Sequence, residues 1–181
     1  MFLFLVACSG MSAQEAHMVF DETNDVGFRA FRAVQKDSDT ATARDSGTFT
    51  WTAEDDGFTF EGSLVGDGTN DWTGQLDLLG AASWTTDTWS GDWSIDYIEV
   101  VQEDIGLDGS MDWSLDLEGD YDSASAFYSC QGEIAASGAA SGTGVVDYTV
   151  SVEVDGTSIS MVAEGEIDGT PIDSSFSLTF L

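Results

Sequence analysis

Positive charge is nearly missing from this sequence. Its 181 residues hold four Lys and Arg and one His against 34 Asp and Glu, a net charge of −30. The four bases (Arg29, Arg32, Lys36 and Arg44) share one N-terminal stretch. Residues 45–181 carry 28 of the acids and no Lys, Arg or His. A surface this negative repels phosphate backbones and anionic headgroups, which excludes nucleic acid as a partner. It also excludes a membrane barrel with a polar lumen. Roughly twenty carboxylates would then line a narrow channel without one arginine, at a cost on the order of kcal/mol per pair.

Other absences narrow the chemistry. Two cysteines and one histidine leave too few ligands for a zinc site, and no CxxC redox pair is present. His17 falls on an expected helix, where a solvated side chain is the simplest reading. No Gly-x-Ser-x-Gly elbow, phosphate-cradling glycine loop or HExxH pair occurs. No apolar run approaches the roughly 18 residues of a membrane-spanning helix. These absences favour a protein that is not an enzyme. Carboxylates are abundant enough that an acid pair of the glycosidase kind stays open.

What is present suffices for one domain with a real core: 42% hydrophobic and 12% aromatic residues. The excess charge strains a compact state unless salt or divalent ions screen it, as in adaptation to a salty environment.

Two periodicities divide the chain. Ser12-Ala-Gln-Glu15 is a capping box, and Ala16, Val19/Phe20, Thr23, Val26/Gly27, Ala30/Phe31 and Val34 then recur every three to four residues. Acids come early and bases late, which suits the helix dipole. The pattern predicts one amphipathic helix over residues 13–36, with Gly27 as a soft point. From Gly47 onward, within an acidic antiparallel β-domain expected over residues 45–181, the period becomes two, as in Trp93-Ser-Ile95-Asp-Tyr97 and Val146-Asp-Tyr148-Thr-Val150. One face is aromatic or branched and the other is Ser, Thr, Asp or Glu, the mark of half-buried antiparallel strands. Five Asp-Gly pairs, at 56–57, 67–68, 108–109, 155–156 and 168–169, suit tight hairpin turns. The only proline, Pro171, follows the last of them. The Gly/Ala/Ser-rich residues 132–144 read as a loop or a weak strand.

Trp51, Trp72, Trp93 and Trp113 are spaced 21, 21 and 20 residues apart. Their simplest placement is at one height on every second strand of an up-and-down meander. The expected fold is therefore mainly β: an antiparallel meander of about 9–11 strands, closing into a barrel or a strongly curved sheet, with the helix against its apolar face. A β-solenoid with coils of about 20 residues is the alternative.

Leu5-Val6-Ala7-Cys8 resembles the lipobox of bacterial lipoproteins. The resemblance implies cleavage before Cys8 and acylation of its thiol, with Ser9 at a position that does not signal inner-membrane retention. Residues 1–7 would be the remnant of a signal peptide and residues 8–12 the anchor and tether. Seven residues without a basic one are short for an export signal, so the expected start lies upstream. A short apolar segment with a chance cysteine is the alternative. If Cys8 is acylated, Cys130 is an inert buried thiol; if not, an oxidising compartment permits a Cys8–Cys130 disulfide. The location implied is the bacterial envelope, at the outer membrane. In outline the expected fold is similar to lipoprotein carriers built from a curved sheet and a helix, by architecture alone.

Three functions follow as expectations. The first is a lipid-anchored, non-enzymatic envelope protein, structural or binding a lipid-like molecule or partner along its curved sheet. The second is a carbohydrate-binding or glycan-hydrolysing protein using tryptophans beside Asp, Ser and Thr. Trp51, Trp72, Trp93 and Trp113 read first as a core layer, while Trp84 and Trp89, off the repeat and beside a turn, are better placed for exposure. The third is a calcium-dependent adhesin, with Asp67, Asp71, Glu103, Asp104 and Asp108 as weak ligands that match no calcium-loop pattern and read equally as acidic turns. No other cofactor is implied.

Overall fold

A computed structural model describes residues 11–37, 46–54, 56–68, 71–119 and 123–179. Among these residues the chain forms one helix, α1 (Ala13–Asp37), and nine strands: β1 (Ser46–Glu54), β2 (Gly57–Asp67), β3 (Trp72–Trp84), β4 (Thr88–Gln102), β5 (Ile105–Gly119), β6 (Ser123–Gly138), β7 (Gly142–Asp155), β8 (Ser158–Ile167) and β9 (Thr170–Thr179). Each strand pairs antiparallel with the next, in the order β1 to β9. This is the expected meander, not a solenoid. β1 and β9 are its edges, and the sheet does not close. α1 approaches both edge strands, so the sheet bends around it.

The helix begins where its capping box places it. Ser12 N–H donates to Glu15 Oε2 at 2.9 Å, and Glu15 N–H donates to Ser12 Oγ at 3.3 Å. Met11 N–H donates to Asp168 Oδ2 at 3.0 Å, and Thr170 Oγ1 donates to the Met11 carbonyl at 3.2 Å. These bonds pin the helix start to the β8–β9 turn. From there α1 crosses the concave face. Phe20 meets the Tyr148 ring edge-on at 4.8 Å, and Thr23 Oγ1 lies 3.3 Å from Tyr148 Oη. Tyr128 Oη on β6 donates to Asn24 Oδ1 at 2.9 Å, and Gln102 Nε2 on β4 donates to Asp25 Oδ2 at 2.6 Å. The predicted stripe is the buried one: Ala16, Val19, Phe20, Thr23, Val26 and Ala30. The side chains of Phe31 and Val34 lie outside the described residues. Gly27 is no soft point. A Cβ there would overlap the Trp113 indole, so glycine is what lets the helix touch β5.

Register corrects the tryptophan repeat. One row runs across the whole sheet: Trp51, Phe60, Gly80, Trp93, Trp113, Cys130, Tyr148, Gly165 and Ile172. Trp51, Trp93 and Trp113 share it on β1, β4 and β5, while Trp72 stands at one end of β3, opposite Gln102. Equal spacing did not mean equal height, because the strands range from 9 to 16 residues. Trp93 stacks on Trp113 at 6.2 Å and Trp113 on Tyr128 at 6.0 Å.

Four of the five Asp-Gly pairs lie at turns. Asp108-Gly109 does not: it lies inside β5 opposite a register shift on β4, with Gly109 at φ 141°. A Cβ at Gly109 would strike the Glu133 carbonyl, so this glycine serves a bulge and close strand approach. The β4–β5 turn is instead made by Glu103 and Asp104, with Glu103 at φ 51°. Residues 132–144 are mostly strand, the end of β6 and the start of β7, joined by a turn that buries Ala140.

The buried apolar side chains face α1, and the outward positions carry most of the carboxylates together with exposed apolar residues such as Leu79, Phe127 and Val145. On the convex surface like charges stand directly opposite one another at Asp77/Asp96, Asp147/Glu166 and Glu164/Asp173. Such pairs destabilise a sheet until salt screens them.

Candidate functional site

α1 divides the concave face into two ends. Towards the β2–β3, β4–β5, β6–β7 and β8–β9 turns, Leu64, Trp72, Leu76, Leu107, Ile134, Val146 and Ile167 are 0–2% exposed, and the space is filled. Towards the β3–β4 and β7–β8 turns the face ends differently. Its inward row there is Trp84, Trp89, Leu117, Ala126, Val152 and Met161, and none of these is fully buried. Trp84 is 41% exposed and Leu117 37%. Trp84, Trp89, Leu117, Ala126, Val152 and Val154 line a groove of about 560 Å³, rimmed by Thr85–Thr88, Glu118 and Ser125.

Local sequence explains why this end is shaped yet open. Thr85-Thr86-Asp87 makes the β3–β4 turn. Thr85 N–H donates to the Thr88 carbonyl at 2.9 Å, and the two threonine hydroxyls lie 2.7 Å apart. Trp84 N–H donates to the Asp56 carbonyl at 2.9 Å, and Gly119 N–H donates to the Asp87 carbonyl at 3.1 Å. The turn is thus tied to strands on both sides, and Trp84 and Trp89 leave it as a directly opposed pair. The Trp84 ring leans on Phe58 at 5.8 Å. The Trp89 indole lies over Gly91, whose missing side chain makes room for it. Small residues at Ala124 and Ala126 keep the groove open on the β6 side.

The buried polar groups beneath the helix are held neutral. Burial pushes the Tyr97, Tyr128 and Tyr148 phenols and the Cys130 thiol well above their ordinary values. None is activated as a base or nucleophile at neutral pH; Tyr128 and Tyr148 link the sheet to the helix through Asn24 and Thr23. Glu22 is the exception near the filled end. Burial, then the charges of Glu103, Asp25 and Asp21, raise its carboxyl to about 7, with Arg29 opposing. Glu22 Oε2 and Gln102 Oε1 are buried acceptors without a partner among the described residues. Arg29 Nε pairs with Asp25 Oδ2 at 2.9 Å on the same helix face.

The residues singled out from sequence are scattered. Trp72, Trp93 and Trp113 are core, at 1%, 6% and 3% exposure. The side chain of Trp51 and all of Cys8 lie outside the described residues. Asp67 and Asp71 flank the β2–β3 turn, and Glu103 N–H reaches the Asp71 carbonyl at 3.4 Å, so two acidic turns adjoin. Asp108 sits apart at the bulge, accepting from Glu99 N–H at 3.3 Å. Among the described residues no three His, Cys, Asp or Glu side chains are arranged to hold a metal ion. Trp84 and Trp89 do meet, in the groove. Leu117, Val152 and Val154 were missed as lining residues, because their alternation matches that of core positions; only their place at strand ends sets them apart.

The described fold is an open nine-stranded antiparallel meander strapped by one helix across its concave face. Comparison of the chain with protein families, characterised proteins and solved structures finds no match.

Proposed function

We propose that the chain is a non-enzymatic binding protein that takes an apolar, lipid-like molecule into the open end of its concave face. The observation that carries this reading is the contrast between the ends. One is packed to 0–2% exposure, while the other leaves two indoles, Leu117 and Val152 incompletely covered around a groove of about 560 Å³. Exposed apolar surface gathered in a concavity is the ordinary form of a small-molecule site. The lipobox at Leu5–Cys8 supports a tether at the bacterial outer membrane. A carrier or sensor held beside a bilayer has its ligand at hand.

A second reading rests on Trp84 itself. Its other side borders a polar depression of about 700 Å³ lined by Asp56, Ser83, Thr85, Thr86, Thr88 and Ser90, a surface on which a sugar ring could stack.

Native mass spectrometry of gently purified protein, kept free of detergent, tests the first reading. A retained lipid-sized mass is expected, and Leu117→Glu should lose it. A bare polypeptide mass rejects the carrier and shifts the reading to a surface-binding or structural role. For the tether, Cys8→Ser should release the protein to the soluble fraction; persistent membrane association rejects the lipobox.

A further inference from the structure

We propose that the acylated protein stands on the filled end of its sheet, with the turns around Met11 against the anchoring bilayer and the groove mouth facing the aqueous compartment. This rests on the tether reading above and is independent of what the groove holds.

The membrane-facing surface is set where the tether meets the fold. Cys8 and Met11 are three residues apart, a length of chain that spans at most about 11 Å. Met11 itself is fixed. It is 5% exposed, its amide donates to Asp168, and its carbonyl accepts from Thr170, so it is held at the β8–β9 turn. Four residues on, Glu15 Oε1 accepts from Ser141 Oγ at 3.2 Å, which ties the first turn of α1 to the β6–β7 turn. An anchor at Cys8 is therefore one short tether from two adjacent turns. The β2–β3 and β4–β5 turns share their end of the meander. The groove lies at the other end: Leu117 stands twelve residues beyond Ile105 along β5, roughly 40 Å at the usual strand rise.

A three-residue tether permits the domain to tip, and charge decides whether it does. On its side, the sheet would press convex-surface carboxylates such as Asp77, Asp96, Asp147 and Glu166 towards the headgroups. Upright, most of the 34 acids stand farther from the bilayer than the screening length of about 8 Å at physiological salt. Exposed Asp71, Glu103 and Asp104 stay near the surface, and the tether holds them there against their repulsion. Only the four bases of the N-terminal stretch act the other way, by attracting the domain onto its helix side.

The test uses the acylated full chain, recovered from bacterial membranes and reconstituted in vesicles of phosphatidylcholine and phosphatidylglycerol in equal parts. One fluorophore is placed at Asp104→Cys, in the β4–β5 turn, or at Thr86→Cys, in the β3–β4 turn. With Cys8 acylated and Cys130 buried, the introduced thiol is the accessible one. Phosphatidylcholine carrying a nitroxide on its headgroup is the quencher. The label at 104 should lose most of its fluorescence, and the label at 86 should keep nearly all of it.

Equal quenching would mean that the bases of α1 draw the domain down along the membrane. Stronger quenching at 86 would mean that it stands on the groove end. Quenching of neither label, with the protein still bound, would mean that the turns do not reach the headgroups. Each of these overturns the inference and leaves the tether standing. If Cys8→Ser binds the vesicles as well as the parent chain, the tether reading falls and the inference with it.

Discussion

The two ends of the concave face are made from the same strands, yet one is a core and the other a mouth. At the filled end, Trp72 stands opposite Gln102, Ala140 tucks in from the β6–β7 turn, and the helix start is bonded to Asp168 and Thr170. At the open end Trp84 and Leu117 keep 41% and 37% exposure. Packed residues hold the shape, and under the carrier reading proposed above the incompletely covered rim is where a ligand would exchange for water.

The largest test of that contrast is a pair of truncations. Trp72→Ala should cost about 3–5 kcal/mol, the usual penalty for emptying a fully buried aromatic site. Trp84→Ala should cost less than about 1 kcal/mol, since much of its surface already meets water. Equal losses in urea unfolding would mean the ends are not energetically distinct.

The helix that separates the ends can be tested at its closest contact. Gly27→Leu removes a poor helix former, which alone would favour the helix by up to about 1 kcal/mol. The collision with Trp113 should outweigh this and give a net loss of about 1–3 kcal/mol. A gain in thermal stability would show that the indole can step aside.

The smallest effect lies where the helix meets the β4–β5 turn. Glu22 is raised to about 7 in the folded chain against an ordinary 4.5, so the folded state binds the extra proton between those values. Stability should therefore fall as pH rises from about 4.5 to about 7, then level off for this group. Glu22→Gln should flatten that part of the profile and be the more stable form at pH 8. A profile unchanged by the substitution would place the pH dependence on the convex-face acids instead.

Much of the fold was legible in particular residues. Ser12 and Glu15 announced the helix start, and alternation in stretches such as 146–154 announced strands buried on one face. Both signals are local, read from neighbours a few residues apart. The Trp84–Trp89 pair was legible for the same reason, since a short turn made them partners. The misreadings were of register and proximity. Trp72 left the row of its three repeats, and Asp108-Gly109 became a bulge because β4 and β5 pair through it rather than turning there.

By itself, then, the sequence determined a helix followed by an acidic antiparallel meander with its aromatic side inward. Charge of one sign and a two-residue period admit no other orientation in water. Which end is filled, and where the apolar face stays open, was decided only by tertiary structure. Those outcomes depend on contacts such as Met11 with Asp168 and Asn24 with Tyr128, between residues more than a hundred positions apart. No local pattern encodes where a helix will cross a sheet. The crossing point follows from how the whole face packs, and here one end is closed while the other keeps Trp84 and Leu117 partly exposed.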